Sequence, residues 1–349
     1  MFLGKKVGIM IHLLAISLLL TSCRSERIQT YYFNNYFDTT SVLYVYGRID
    51  DDTVAGVESV LSRLEKVFSL GSEFASVSEV QRINSNPGKF TKVSKVVLAL
   101  LTEAIQICDM SVIDGRALFD VTMLPVSKLW DFENGTIPSD DEIQKALKMV
   151  NFKNIEIASD YVKILDGMAI SLDSLSKAYA VDIILRYLKA RGISNAVISV
   201  GSYVYLCESK NIWPYAKVYN PDILKQDEYF IGEVSISNKA LVSINKYQKY
   251  INNDSKVHYI LDPRTGYPAS NNVISVSVIA ESAVLAAGLS FILFVMGLDE
   301  GLKYVEGLED VDVVFVVENG DDKEIYTSSG ILFYFNENAA RLGYKLIEK

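Results

Sequence analysis

The chain has 349 residues, of which 34 are basic and 43 acidic, so its formal net charge is −9. This acidic balance argues against a nucleic-acid binder, which needs a basic face to contact phosphates. Half of the residues are apolar and only 7 are proline, which excludes a disordered or collagen-like chain. The 3 cysteines and 2 histidines are too few for a disulfide framework, a cysteine-rich zinc site or a multi-histidine metal site.

The N-terminal segment has the pattern of a secretory signal. Lys5 and Lys6 precede an apolar run over residues 7–20, which ends in the tetrad Leu20-Thr21-Ser22-Cys23. As a helix the run would extend about 21 Å, less than the hydrocarbon core of a bilayer at about 30 Å. The tetrad resembles the lipobox of bacterial lipoproteins, so we predict a lipoprotein signal peptide over residues 1–22 and lipidation of Cys23. The alternative is an uncleaved membrane anchor.

Lipidation of Cys23 predicts where the mature chain resides. Its acyl chains would hold the protein to a bacterial membrane, with the rest outside the cytoplasm on the periplasmic side. The polar residues 23–30 are then predicted as a tether, and residues 31–349 as the folded domain.

The first part of this domain predicts a strand followed by helices. Residues 40–48 are rich in valine, leucine and tyrosine, which is typical of a strand. Asp52 or Thr53 can cap a helix whose apolar residues recur at helical spacing. These are Val57, Val60, Leu61, Leu64, Val67 and Phe68. The same spacing predicts a helix over residues 94–109.

A capping box marks the start of the next helix. The Ser139 hydroxyl can accept from the backbone amide of Glu142, whose carboxylate can reach back to the Ser139 amide. This helix is predicted to end near residue 150.

The second part of the domain mixes strands and helices in irregular succession. Strands are predicted at 155–158, 161–165, 169–172, 196–200, 215–218, 230–236, 241–244, 273–280 and 313–317. Helices are predicted at 174–190, ending before Gly192, and at 282–296. Without regular strand–helix–strand spacing, the pattern favours an α+β fold, with mixed sheets and packed helices in one compact unit of two lobes.

Cys108 and Cys207 lie far apart in the sequence, each in apolar surroundings. Their setting favours free buried thiols, while an oxidising compartment leaves a disulfide open.

Four segments carry the chemical signal of the sequence. They are Ser78–Asn84; Phe119-Asp120-Val121-Thr122 with Pro125 and Leu129-Trp130; Lys177–Asp182; and Asp262-Pro263-Arg264-Thr265-Gly266-Tyr267-Pro268. In this order and spacing they resemble the FAD:protein FMN transferase family, over about residues 37–329. Each segment alone also fits a structural role, as a turn, a cap or a pair of exposed charges.

The resemblance implies a fold, a reaction and partners. It implies a flavin-transferase-like domain that cleaves FAD and attaches FMN to a threonine or serine of a target protein. The implied partners are FAD, the flavinylated target protein and, through the lipid anchor, the membrane.

The resemblance also implies site residues. Tyr259 or His258 would stand near the transfer centre, facing oppositely if they lie in a strand. The implied FAD contacts are Phe37, Phe74, Leu118, Phe119, Asp120, Ser171, Lys177 and Ile260. The implied remnants of a metal site are Ser290 and the backbone of Ser174.

The chain departs from the family pattern where relatives hold magnesium. In relatives an aspartate and a threonine four residues later share one helical face, whereas the matching positions here are Ala287 and Phe291. Asp38 replaces a glycine, and Ser171 replaces an acid that Asp173 could supply instead. Three hypotheses follow: an active magnesium-dependent transferase, a protein that binds FAD without cleaving it, and a lipoprotein that keeps only the fold.

Overall fold

The computed structural model describes residues 28–74, 76–206, 215–222, 230–251 and 254–347. The predicted signal peptide, Cys23 and Cys207 lie outside these residues. Cys108 is buried as a free thiol, in agreement with the prediction for this residue.

The described residues form strands and helices with the following bounds. The strands are β1 (Ile28–Tyr36), β2 (Thr39–Tyr46), β3 (Thr91–Lys92), β4 (Val112–Ile113), β5 (Arg116–Ala117), β6 (Glu156–Ala158), β7 (Tyr161–Lys163), β8 (Ala196–Val200), β9 (Tyr203–Leu206), β10 (Tyr215–Tyr219), β11 (Phe230–Ser235), β12 (Lys239–Asn245), β13 (Tyr250–Ile251), β14 (Asp254–His258), β15 (Val273–Ala280), β16 (Asp312–Asn319), β17 (Asp322–Thr327), β18 (Phe333–Phe335) and β19 (Tyr344–Leu346). The helices are α1 (Asp51–Phe68), α2 (Glu79–Asn84), α3 (Lys95–Met110), α4 (Leu124–Ser127), α5 (Asp140–Leu147), α6 (Asp173–Ala190), α7 (Ala283–Met296), α8 (Leu298–Val305) and α9 (Glu337–Ala340), with 3₁₀ turns at Ser72–Phe74 and Phe152–Asn154.

One large sheet organises the described part of the chain. Its strands lie in the order β1-β2-β8-β9-β12-β15-β16-β17-β19. Neighbouring strands pair antiparallel, except for the parallel pair β17 and β19. A smaller sheet, β10-β11-β18, packs against it. The α+β prediction is confirmed by this mixture of sheets and packed helices.

The two faces of the large sheet pack against different layers. In β12, Val242 and Ile244 point into the core shared with α6 and α7, whereas Leu241 points into the core shared with β10 and β11. This division follows from the alternation of side chains along a strand. All eight residues of β15 are buried because both of its faces are covered, which explains its nearly continuous apolar sequence.

Helix α7 crosses the centre of the helical layer. At Gly288 a Cβ atom would lie 2.4 Å from Cγ2 of Ile107 on α3, so only glycine permits this approach of the two helices. A helical glycine costs about 0.5–1 kcal/mol relative to alanine. The apolar area buried on both sides of α7 offsets that cost.

A half-buried carboxylate joins α6 to α7. The side chain of Asp182 on α6 accepts from the backbone N–H groups of Ala283 (2.9 Å) and Val284 (3.1 Å), which begin α7. The Ser282 hydroxyl caps the same end by accepting from the amide of Leu285 (3.0 Å). Burial raises the pKa of Asp182 to about 6, although the two amide donors oppose the shift.

The predicted strand at 169–172 is wrong. The amide and carbonyl of Ile170 both bond to the side chain of Asn84 at 2.8 Å, and the amide of Ser171 donates to the carbonyl of Val121. These partners come from a helix and a loop, so no ladder forms, and α6 begins directly afterwards at Asp173.

Two predicted boundaries also differ from the structure. β1 starts at Ile28, so residues 28–30 pair with β2 rather than belonging to a free tether. Helix α1 is capped by Asp50, not Asp52 or Thr53, because the Asp50 carboxylate accepts from the amide of Thr53 at 2.7 Å. By contrast, the predicted Ser139–Glu142 capping box is confirmed.

Among the described residues, no helix combines the length and the apolar character of a membrane span.

Removal of the Asp182 carboxylate should destabilise the fold. Asp182→Ala leaves two helix-terminal amides without their acceptors, so we expect the free energy of unfolding to fall by about 2 kcal/mol. Asp182→Asn retains one acceptor oxygen and should lose about half as much. Urea denaturation with equal m-values measures both losses. Equal stability of wild type and Asp182→Ala would show that the cap contributes nothing.

Candidate active site

A cleft of about 390 Å³ opens at the N-terminal end of α6. Its walls come from the segment around residues 118–127, the start of α6, the loop after β12 and one face of α7. Seven residues predicted from the family resemblance line it: Leu118, Phe119, Asp120, Ser171, Ser174, Lys177 and Tyr259. The fold therefore gathers residues that are more than 140 positions apart in the chain.

One wall of the cleft is aromatic. The ring centroids of Phe119 and Phe291 are 5.9 Å apart, and those of Tyr259 and Phe291 are 6.5 Å apart with nearly perpendicular planes. Such a wall offers a face on which a planar ring can stack. The Tyr259 hydroxyl donates to Oε1 of Gln248 (2.7 Å). Burial raises the pKa of Tyr259 far above its ordinary value, so this hydroxyl stays protonated and cannot serve as a base.

A second part of the cleft wall is charged. Lys177 lies one turn into α6 and is half-buried, and desolvation lowers its pKa. The negative charges of Asp38 and Asp173 oppose this shift, while the positive charge of Lys249 reinforces it. Desolvation within the cleft raises the pKa of the Asp173 carboxyl. A hydrogen bond with Ser171 and the positive charge of Lys177 oppose this rise.

Asp120 holds the loop that forms the floor of the cleft. Its carboxylate accepts from the amide and hydroxyl of Thr122 (2.8 and 2.7 Å) and from the amide of Phe152 (3.0 Å). Burial nevertheless raises the pKa of Asp120. With its oxygens occupied in this way, Asp120 shapes the cleft and is not a free ligand.

The turn at Asp262–Pro268 supports the cleft from behind. The Asp262 carboxylate accepts from the guanidinium of Arg264 (2.7 Å), and the Trp130 indole donates to the carbonyl of Gly266 (3.1 Å). Gly266 has φ +79°, and a Cβ there would lie 2.6 Å from Ile143. These contacts place Leu261 and Pro263 in the wall.

His258 and Ile260 do not line the cleft. The imidazole of His258 packs edge-on against Phe294 (5.5 Å), and its Nδ1 accepts from the amide of Ile260 (3.3 Å). Both residues are buried, and His258 faces away from Tyr259, as strand alternation predicts. Burial lowers the pKa of His258 to about 4, so the ring is neutral at pH 7.

Phe37 and Phe74 are also not among the residues that line the cleft. Phe37 and Asp38 form the two-residue loop between β1 and β2, with φ of +54° at both positions, as a type I′ turn requires. The Phe37 ring is buried, and its amide donates to the Glu65 carboxylate (2.7 Å). Phe74 is half-buried in a 3₁₀ turn.

The positions that would hold magnesium in relatives do not form an oxygen-ligand site here. Ala287 is buried, and Phe291 projects into the cleft. Ser290 is fully buried, and its hydroxyl donates to the carbonyl of Ala287 (2.7 Å). In the described residues no three His, Cys, Asp or Glu side chains converge. Magnesium requires near-octahedral oxygen ligands, so the residues present do not fit it.

A larger cavity, of about 670 Å³, lies on the other face of the large sheet. It is rich in hydroxyl groups, and the Ser243 and Ser277 oxygens are 2.7 Å apart. Among its described lining residues, Lys217 is the only one with a charged side chain. It contains none of the residues implied by the resemblance, so we place the site in the smaller cleft.

The lining residues that sequence reasoning missed include Gln248, Lys249 and Tyr203. Gln248 and Lys249 follow β12 in a polar loop without a motif. The Tyr203 hydroxyl donates to the carbonyl of Ser174 (3.4 Å), and burial raises the pKa of Tyr203 to about 12.

Residues 37–315 match the sequence model of the ApbE family. The FAD:protein FMN transferase of Vibrio cholerae is 26% identical over 331 residues, covering 90% of this chain and 96% of that protein. The FAD:protein FMN transferase of Treponema pallidum is 24% identical over 302 residues, covering 80% of each.

Solved structures show the same fold. The flavin transferase ApbE from Vibrio cholerae superposes with a TM-score of 0.74 at 22% identity, covering 87% of this chain and 98% of that one. The apbe protein from Thermotoga maritima superposes with a TM-score of 0.72 at 25% identity, covering 91% of this chain and 100% of that one.

The buried His258 should make the fold sensitive to acid. Its pKa is about 6.5 in the unfolded chain and about 4 in the fold. The unfolded state therefore binds the proton first, and stability is lost as the pH falls through this window. We expect wild type to lose about 2 kcal/mol more than His258→Asn between pH 7 and pH 5. The variant keeps an acceptor for the Ile260 amide but cannot titrate.

Urea unfolding of both proteins across this pH range measures the difference. Comparing the two proteins cancels the contributions of other titrating groups, including Asp182. If the free energies of unfolding of the two proteins changed equally with pH, protonation of His258 would not be the cause of the acid sensitivity.

Proposed function

The chain belongs to the ApbE family, and on that premise we propose that it is an FAD:protein FMN transferase, which cleaves FAD and joins the FMN part to a threonine or serine of a target protein. The observation that carries this proposal is the cleft at the start of α6. It combines an aromatic wall of Phe119, Tyr259 and Phe291 with the ammonium group of Lys177. That combination suits a ligand with a planar ring and a charged diphosphate.

In this proposal each wall of the cleft binds a different part of the dinucleotide. The isoalloxazine ring packs against the aromatic side chains, which offer stacking and edge contacts. The diphosphate lies beside Lys177 and the first turn of α6, because helix N-termini and ammonium groups both stabilise phosphate oxygens. Leu172 provides no side-chain cap to that turn. The Asp173 amide donates to the Ser171 hydroxyl (3.2 Å) and the Leu175 amide to the Leu172 carbonyl (3.0 Å), so among the described residues the Ser174 amide is the donor of this turn that can bind a phosphate oxygen.

The proposed transfer is one displacement at phosphorus. The acceptor hydroxyl oxygen forms a bond to the FMN-side phosphorus, and the bond from that phosphorus to the bridging oxygen breaks. AMP leaves with the electron pair of the broken bond. The hydroxyl proton passes to the carboxylate of Asp173, which lines the cleft, while Lys177 stabilises charge on the phosphoryl oxygens.

The alternative of a protein that binds FAD without cleaving it, or keeps only the fold, is not favoured. The relatives that cover most of the chain are named as transferases. No step of the proposed reaction is assigned to magnesium, because the residues at the expected positions do not fit it.

Replacement of Lys177 should slow FAD cleavage. We expect Lys177→Ala to reduce AMP release from FAD by about 100-fold, since it removes a positive charge at the developing phosphoryl charge. Lys189→Ala on the same helix should leave the rate unchanged, because Lys189 is exposed and stacks near Tyr205 outside the cleft. The AMP released is measured by chromatography. Periplasmic and membrane fractions of the source bacterium supply the target protein that accepts FMN.

Covalent transfer is read separately, as flavin fluorescence of a protein band after denaturing electrophoresis. Wild type that releases no AMP and labels no protein would refute the proposed function. Equal rates for the two variants would refute only the role of Lys177.

We propose further that Cys23 carries the lipid anchor and that the chain works on the periplasmic side of a bacterial membrane. The support is the basic segment, the short apolar run and the lipobox-like tetrad before Cys23. A target protein would then be met outside the cytoplasm.

Loss of the Cys23 thiol should release the chain from the membrane. Full-length wild type expressed in a bacterium should incorporate labelled palmitate and partition into the detergent phase of Triton X-114. Cys23→Ser should do neither, because acylation needs the thiol. Cys108→Ala, which removes a buried thiol, serves as control and should behave like wild type. Equal labelling of Cys23→Ser and wild type would contradict lipidation at this residue.

A further inference from the structure

The cleft presents a charge problem that the proposed function does not solve. A dinucleotide brings two negative charges on its diphosphate, and relatives are expected to balance them with magnesium. Here Ala287 and Phe291 occupy the ligand positions, and Asp120 already accepts three hydrogen bonds. Among the described lining residues, Asp173 is then the one carboxylate left to bind a metal ion. A single carboxylate supplies too few oxygen ligands for a divalent cation.

Lys249 lies in the same cleft as Lys177 although the two are on different elements. It belongs to the loop between β12 and β13, whereas Lys177 is on α6. Its side chain is exposed at the mouth of the cleft, and the Lys177 side chain is half-buried deeper in the wall. A ligand that spans the cleft would therefore pass both ammonium groups.

The loop that carries Lys249 is held in place. The Lys249 carbonyl accepts from the amide of Tyr259 (3.1 Å), and the neighbouring Gln248 side chain accepts from the Tyr259 hydroxyl (2.7 Å). At the start of the loop the buried Lys246 pairs with Glu318 (2.9 Å). The position of Lys249 is thus set by the same residue that forms the aromatic wall.

The two lysines lack close anionic partners. Within the described ranges, neither Lys177 nor Lys249 forms an ion pair within 4 Å, unlike Lys246 and Lys163. The carboxylates that face Lys177 are Asp173 and Asp38, at longer range. Desolvation lowers the pKa of Lys177, and repulsion from the Lys249 ammonium group adds to this shift, against the opposing charges of Asp38 and Asp173. A bound anion of charge −2 would remove this repulsion.

We infer that Lys249 and Lys177 together bind the diphosphate of FAD in the role that a divalent cation plays in relatives. This inference rests on the proposed function, since it concerns the same cleft and ligand. Each ammonium group carries its own positive charge and needs no carboxylate ligands. FAD binding therefore does not depend on metal ligands at the positions of Ala287 and Phe291. Lys249 is a binding and positioning residue for the dinucleotide.

Two consequences distinguish lysine binding from metal binding. FAD affinity should be the same in excess EDTA and in excess magnesium, and it should fall as NaCl rises from about 0.05 to 0.5 M, because exposed ammonium–phosphate contacts are screened. Asp173→Asn should leave FAD affinity unchanged or higher, because it removes a negative charge near the diphosphate. If a metal held the diphosphate, the same variant would lose affinity.

The experiment is a titration of the protein with FAD and with riboflavin, followed by flavin fluorescence. Lys249→Ala should weaken FAD binding about tenfold and leave riboflavin binding unchanged, because riboflavin has no phosphate. Lys249→Arg should restore most of the affinity. Lys256→Ala is the matched control, since Lys256 is an exposed lysine on β14 that does not line the cleft. It should bind both ligands like wild type.

Each outcome has one reading. Metal-independent FAD binding that is weakened by Lys249→Ala but not by Lys256→Ala supports the inference, even if no AMP is released and the transferase proposal fails. FAD binding that requires magnesium, or equal affinity of the two alanine variants, overturns the inference and leaves the proposed function standing. Failure of wild type to bind FAD with or without magnesium overturns both.

Discussion

The carboxylate of Asp182 holds together the two helices that frame the cleft. From its place on α6 it accepts the first backbone N–H groups of α7 at 2.9 and 3.1 Å. α6 brings Lys177 to the charged wall, and α7 brings Phe291 to the aromatic wall. The separation of the two walls therefore depends on this cap. Burial raises the pKa of Asp182 to about 6, because desolvation outweighs the stabilisation from the two amides.

The motifs that most resemble the family serve largely to build the cleft. Asp120 folds its loop through three accepted hydrogen bonds, and Trp130 donates to the turn at Gly266. Asp182 caps a helix rather than facing the ligand. A residue type that the fold itself requires is costly to change, because its loss leaves buried donors unpaired. Of the positions at which this chain departs from the family, Ser171 and Phe291 line the cleft, whereas Asp38 and Ala287 do not.

The departures at the cleft are consistent with one another. Phe291, at a position where the family resemblance implies a metal ligand, extends the aromatic wall toward Phe119 and Tyr259. The charge that a cation would supply can come from Lys177 and Lys249 on the facing surfaces. An ammonium group needs no first coordination sphere of carboxylates, so its use relaxes the demand for oxygen ligands that magnesium imposes. The acidic composition of the chain has no bearing on this local balance.

Local hydrogen bonding and periodicity were readable in the sequence. The strands at 196–200 and 273–280 and the capping box at Ser139 stand where their patterns predict them, because short-range contacts determine them. Residues 169–172 were misjudged because their backbone partners, Asn84 and Val121, lie at least 48 positions away. Lys249 was missed for the same reason. Its loop has no motif, and the bonds from Tyr259 to the Lys249 carbonyl and to the Gln248 side chain hold it at the cleft. The sequence alone thus determined the family, the fold class and most of the local elements. The tertiary structure alone decided which charges meet at the site, because charge pairing depends on distance in space and not on spacing along the chain.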